Sequence, residues 1–163
     1  MSKKEDHIHF LKSKVDNIRT AMLTTFTRSH GFHCRPMGTA EIDANGDIWF
    51  FTNEYSAKAK EISVDNKVNV TYSDSGTNTY LSIKGHAHLV DDKEKMKHLW
   101  TPYIQAFFPD GLGDPKLILL KVVTSDMEYW DSSSSKIVVL FNMLKANLLG
   151  KQYDEGEHGK IKL

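Results

Sequence analysis

The chain has 163 residues, 40% of them hydrophobic and 26% charged, which fits one globular domain large enough to bury a core. Lysine plus arginine and aspartate plus glutamate each total 21, so no net field recommends nucleic acid or an anionic membrane as a partner. The single cysteine, Cys34, excludes an internal disulfide and fits a reducing compartment. No apolar stretch approaches the roughly 20 residues that span a bilayer, and the opening MSKKEDHIHF has acids and histidines where a signal peptide needs an apolar run. A cytoplasmic location is expected.

In chain order, residues 4–19 space Ile8, Leu11, Val15 and Ile18 by threes and fours among charged residues, the period of a one-faced helix. TAMLTTFT, 20–27, reads as a first strand; the polar RSHG turns, and Phe32 to Ile42 returns as a second. Asp43-Ala44-Asn45-Gly46-Asp47 is a turn signal. Behind it Ile48-Trp49-Phe50-Phe51 forms an apolar strand that reaches Thr52 and Asn53, turns through Glu54-Tyr55 and enters a helix over 57–64. After Asp65-Asn66, KVNVTYSD alternates strictly, with Val68, Val70 and Tyr72 on one face. Tyr80 to Val90 is a fifth strand that sends Leu81, Ile83 and Gly85 one way and Tyr80, Ser82 and Lys84 the other.

Asp91-Asp92-Lys93-Glu94 opens a helix whose acids complement its dipole. Its buried stripe is Met96, Leu99, Trp100, Tyr103 and Ile104, and Pro102 is placed to kink it. FFPDGLGDP is a loop, LILLKVVTSDMEYW a sixth and mostly buried strand, and 136–149 a terminal amphipathic helix. A polar tail follows from Gly150, with Asp154 to Gly159 expected to be mobile. Six short-spaced strands with inserted helices point to a mostly β, α+β fold: an antiparallel barrel, whose closure removes exposed edges. One domain covers 1–149 and the tail 150–163.

The stretch 47–60, DIWFFTNEYSAKAK, has the order of a phosphate site. A strand that ends beside a helix N-terminus brings unpaired backbone N–H groups, the Ser56 hydroxyl and lysine charge to one small volume. Lys58 and Lys60 sit against the positive end of the helix dipole, a conflict that an anion relieves. The plainer reading is a core strand followed by a solvated helix. Local physics leaves both readings open.

Phe50-Phe51-Thr52-Asn53 leading to Ser56-Ala57-Lys58 resembles the flavin-binding segment of the pyridoxamine 5′-phosphate oxidase-like split-barrel family. Arg35-Pro36-Met37, Asn66-Lys67-Val68, Gly85, Leu99-Trp100-Thr101-Pro102, Phe108-Pro109-Asp110-Gly111, Asp114-Pro115 and Tyr129-Trp130-Asp131 follow the order of one branch, the flavin-binding general stress proteins. The resemblance covers about residues 15–135. It implies a six-stranded antiparallel split β-barrel and a homodimer with two flavin sites at the subunit interface. In that picture Arg35 and Lys58 pair with the phosphate of FMN (or of FAD), Ser56 hydrogen-bonds it, the backbone around Phe51-Thr52 meets the isoalloxazine ring, and Met37 is among the cofactor-binding residues. Trp100 reaches the neighbouring subunit's flavin.

The alternative for Arg35 is a strand arginine paired with Glu41 or a solvent carboxylate. One departure from the family is plain: the vitamin-oxidising enzymes follow their strand-two arginine with Leu-Lys, where this chain has Gly38-Thr39-Ala40. Their C-terminal Trp and Arg segments have no counterpart here either. What the resemblance implies is thus an FMN-binding stress protein and flavin-dependent oxidoreductase of unassigned substrate and catalytic residues. The rivals are a flavin-sensing or flavin-storage module, a pyridoxamine 5′-phosphate oxidase-like enzyme, and a barrel that serves as a dimeric interaction protein.

Other constellations read more plainly. His30-x-x-His33 beside Cys34, and His86-x-His88, lack further ligands at a recognisable spacing, so no metal site is expected. Cys34 reads as structural, and Trp49 and Trp130 read as core. Asp91-Asp92, and Asp110 with Asp114, read as caps and turn formers.

Overall fold

The computed structural model describes residues 3–131, 143, 145, 149 and 157–163. Helix α1 (Lys3–Val15) precedes strands β1 (Thr20–Thr27), β2 (Gly31–Ile42) and β3 (Ile48–Asn53). Helix α2 (Ala57–Val64) leads to β4 (Lys67–Asp74) and β5 (Thr79–Val90), then α3 (Lys93–Leu99), α4 (Pro102–Gln105), β6 (Leu117–Asp131) and β7 (Glu157–Lys162). The sheet order is β3-β2-β1-β4-β5-β6-β7, and β3 also pairs with β6. That extra ladder sets Ile48 opposite Val122 and Asn53 opposite Leu117, and it closes β1–β6 into an antiparallel six-stranded barrel.

Alternation fills the barrel. On β4 and β5, Val68, Val70, Tyr72, Leu81, Ile83 and Ala87 point inward and meet Leu23, Phe50, Leu120 and Val122. The β3 run is continuous rather than alternating because both of its faces are covered. Ile48 and Phe50 belong to the barrel core, whereas Trp49 and Phe51 join Met96, Leu99, Ile104, Leu117 and Leu119 in a second core on the other face.

The helix expected after Asp91 is two helices. Asp92 caps α3 by accepting from the Lys95 N–H at 2.9 Å, the helix stops at Trp100, and Thr101 caps α4 with Pro102 in its first turn. Met96, Leu99 and Ile104 are buried as expected, but Tyr103 is exposed. Asp43 folds the β2–β3 turn around its carboxylate, which accepts from the Asn45 and Asp47 N–H groups and the Trp49 indole. Asp114 similarly accepts from the Lys116 N–H at 2.8 Å.

The polar tail holds a strand that sequence pattern did not suggest. β7 pairs along the far half of β6, Asp126 to Asp131, beyond the part that β3 occupies. Ile161 and Leu163 pack on the barrel core, and Gly159 lies under the Tyr129 ring, where a Cβ would come within 2.6 Å. The helix expected over 136–149 lies almost wholly outside the described residues. No helix among the described residues is long and apolar enough to cross a membrane.

Gly85 sits where β5 shifts register against β6, and a Cβ there would lie 2.5 Å from the Val123 carbonyl oxygen and 2.8 Å from Val122 Cγ1. Gly85→Ala should therefore cost about 1–3 kcal/mol in denaturant unfolding, the range for overpacking. Gly113→Ala, whose Cβ meets nothing within 4 Å, should stay within about 0.5 kcal/mol of wild type.

Candidate functional site

The end of β3 and the start of α2 meet as the spacing of 52–58 requires. Ser56 is the N-cap of α2, and its hydroxyl accepts from the Ala59 N–H at 3.3 Å. Lys58 Nζ donates to Thr52 Oγ1 at 3.0 Å, and the Thr52 and Ser56 hydroxyls lie 3.5 Å apart. Among the described residues no carboxylate stands within 4.0 Å of Lys58 Nζ. Burial, then the nearby Arg35 charge, push the lysine below its ordinary pKa, with Glu61 offsetting part of the shift. Among the described residues the ammonium has no carboxylate in direct contact, a setting that an anion would relieve. Lys60, the other lysine of this turn, is exposed.

Arg35 enters from the inward side of β2. Its Nη1 donates to Thr25 Oγ1 at 2.7 Å and its Nη2 to Glu61 Oε2 at 2.5 Å. Glu61 in turn accepts from Thr25 Oγ1 at 2.5 Å, and its Oε1 lies 2.8 Å from His33 Nδ1. Burial opposes the Glu61 charge, but bonds from Thr25, His33 and Arg35, together with the arginine's charge, outweigh it and bring the carboxyl down to about 2.

The pairing of Arg35 with Glu41 does not form. Two residues six apart on one strand stand about 20 Å from each other, and Glu41 is taken by Lys95 at 2.5 Å. Glu61 was missed because it lies on a helix rather than a neighbouring strand. The available signal was its spacing of three from Lys58, which places both on one side of α2.

Beside this polar group lies a cavity of about 320 Å³, lined by Met37, Gly38, Phe51, Lys58, Tyr103 and Phe108 among others. Phe107, 63% exposed, stands edge-on to Tyr103 with ring centroids 5.2 Å apart. Of the residues singled out by sequence, Met37, Phe51 and Lys58 line the cavity. Thr52 and Ser56 back Lys58, and Arg35 is linked to it through charge. Trp100 does not line the cavity. Its ring packs edge-on to Phe51 at 5.4 Å, and its indole N–H donates to Gln105 at 3.1 Å.

Trp49 is core, as expected. Trp130 is not: it is 39% exposed and stacks on His158 at 5.0 Å. Among the described residues no three His, Cys, Asp or Glu side chains gather as a metal site. Cys34 is exposed on β2.

Comparison with known proteins places this architecture. A family model described as "Pyridoxamine 5'-phosphate oxidase like" matches residues 6–154. The general stress FMN/FAD binding protein from Xanthomonas citri is 31% identical, with a TM-score of 0.65 over 81% of this chain and 90% of that one. A candidate general stress protein 26 from Jannaschia sp. CCS1 is 25% identical, with a TM-score of 0.77 over 97% of this chain and 99% of that one. The protein bli-3 of Neurospora crassa is 24% identical over 157 residues, 90% of this chain and 75% of that protein.

Glu61 carries a pH signature. Its folded-state pKa of about 2 lies below the ordinary 4.5, so its stabilisation is fully present above pH 4.5 and is lost as the pH falls toward 2. Glu61→Gln should lower the denaturant midpoint at pH 7 and flatten its decline across that window. Denaturant melts from pH 7 to pH 2 on both proteins check this.

Proposed function

The chain belongs to the pyridoxamine 5′-phosphate oxidase-like family, in its general stress protein branch, and we propose that it binds FMN and acts as a flavin-dependent oxidoreductase on a small molecule. The observation that carries the reading is Lys58: a half-buried ammonium with no carboxylate within 4.0 Å among the described residues, braced by Thr52, in the first turn after the Ser56 cap and lining an aromatic cavity. A phosphate monoester, with about −1.5 to −2 charges at pH 7, supplies what that ammonium lacks. Lys58, Ser56 and the remaining donors of Arg35 would hold the phosphate. Met37, Phe51, Tyr103 and Phe108 give apolar surface that suits a planar ring system.

The X. citri relative, named for FMN and FAD, supports the flavin class. When bound, the flavin supplies hydride and electron transfer, and the chain's own residues bind, orient and shield it. In this reading two chains form a homodimer that completes both sites, and the protein works in the cytoplasm.

The vitamin-oxidising reading gains no support from the residues. Ala40, where those enzymes carry a second cation, packs against the core that contains Trp49 and Phe51. Among the described residues, Lys58 is the one charged side chain that lines the cavity.

Purified protein titrated with FMN should quench the flavin's fluorescence. Lys58→Gln should weaken FMN by about 10- to 100-fold, the loss of one charge-assisted contact, while riboflavin, which has no phosphate, should change little. Lys60→Gln serves as the exposed-lysine control. Equal FMN affinity in wild type and Lys58→Gln would sink the assignment. Sedimentation should give a dimer, and a monomer at micromolar concentration would refute the shared-site arrangement. Anaerobic mixing of the loaded protein with NADH or NADPH should bleach the flavin absorbance if a nicotinamide is the donor. Bleached flavin that no acceptor reoxidises would favour a storage module over an enzyme.

A further inference from the structure

The seat for the ligand's phosphate already contains a carboxylate. Glu61 Oε2 accepts from Arg35 Nη2 and from Thr25 Oγ1, each at 2.5 Å, and Arg35 Nη1 donates to Thr25 Oγ1 at 2.7 Å. Both side chains are largely buried, 14% exposed for Arg35 and 15% for Glu61. Lys58 lies one helical turn from Glu61, yet its ammonium bonds Thr52 rather than the glutamate. The group therefore presents two cations against one carboxylate, with the guanidinium engaged and the ammonium not.

We propose that Glu61 is a specificity-determining residue: an internal carboxylate that competes for Arg35, so that inorganic phosphate and small phosphorylated metabolites are turned away while a phosphate attached to a large planar ring is admitted. The proposal rests on the flavin reading of this site. A dianion brought toward Lys58 and Arg35 is repelled by Glu61 and has to share or displace it, which cancels part of the attraction of the two cations. A ligand that also fills the cavity beside Phe51, Tyr103 and Phe108 gains apolar burial that inorganic phosphate lacks. His33, on the more exposed side of the carboxylate, keeps one partner on Glu61 if the arginine turns to the ligand. Selection then comes from a repulsive element placed beside an attractive one.

The test compares wild type with Glu61→Gln, which removes the charge and keeps the shape. Each is titrated calorimetrically with inorganic phosphate at constant ionic strength, and fluorimetrically with FMN and riboflavin. Glu61→Gln should bind inorganic phosphate about tenfold more tightly, bind FMN more tightly and leave riboflavin unchanged. Phosphate binding that is unchanged or weaker in Glu61→Gln would overturn the proposal and leave Glu61 as a buttress for Arg35. Should Glu61→Gln fail to fold, Glu61→Asp, which draws the charge back by one methylene, should shift phosphate affinity in the same direction; no shift overturns it. If wild type takes up no FMN, the flavin reading falls, and the phosphate isotherms of the two proteins still decide the role of Glu61.

Discussion

Two-sided burial of β3 is the constraint on which the rest of this structure depends. A strand that closes a barrel and also supports a helical layer has no solvent face, so all of Ile48, Trp49, Phe50 and Phe51 have to find apolar neighbours. The barrel takes Ile48 and Phe50, and α3 with α4 covers Trp49 and Phe51. Pairing with β6 on one edge and β2 on the other then fixes where the strand ends. Thr52 and the turn into α2 are consequently held in place by backbone ladders. The site is built at the rigid end of the best-buried strand, which is where a cofactor seat gains most from preorganisation.

Electrostatics divides the work at that seat. Arg35 and Glu61 satisfy each other through short contacts that also use Thr25, so their charges are settled before any ligand arrives. Among the described residues Lys58 bonds only the Thr52 hydroxyl, and it sits partly desolvated, which leaves it the more responsive of the two cations. One arginine held in place and one lysine in reserve is a different arrangement from the two equivalent clamps that a list of motif residues suggests. The difference arises entirely from a glutamate on the next turn of the helix.

Much of the barrel was legible in the sequence. Strict alternation in β4 and β5, the Asp43–Asp47 turn and the β3 run each encode local geometry that tertiary contacts then follow. The strand end, cap and lysine of the proposed anion seat were legible as a local order, and the structure brings Thr52, Ser56 and Lys58 together. Contacts between elements were not. Arg35 and Glu61 meet because α2 packs on β1; the spacing of three puts Glu61 on the Lys58 side of the helix but does not say which strands that side meets. Trp130 looked like core because aromatic residues usually are, yet its strand position faces outward, and His158 of β7 covers part of it. β7 itself was hidden by composition: Glu157, His158, Gly159, Lys160, Ile161 and Lys162 carry little apolar signal, and it is Tyr129 over Gly159 that gives the segment its docking point.

The placement of β7 also bears on the proposed homodimer. β6 is longer than the ladder it shares with β3, and its far half would otherwise offer a row of unpaired backbone groups. β7 occupies that row and becomes the last strand of the sheet. It is six residues long and charged at Glu157, Lys160 and Lys162, the traits with which natural sheets discourage edge-to-edge growth. Strand addition is thereby made unattractive along this stretch of the barrel wall. In the proposed homodimer, association would then fall to side chains on the faces of the barrel, where shape and charge, rather than a generic backbone ladder, choose the partner.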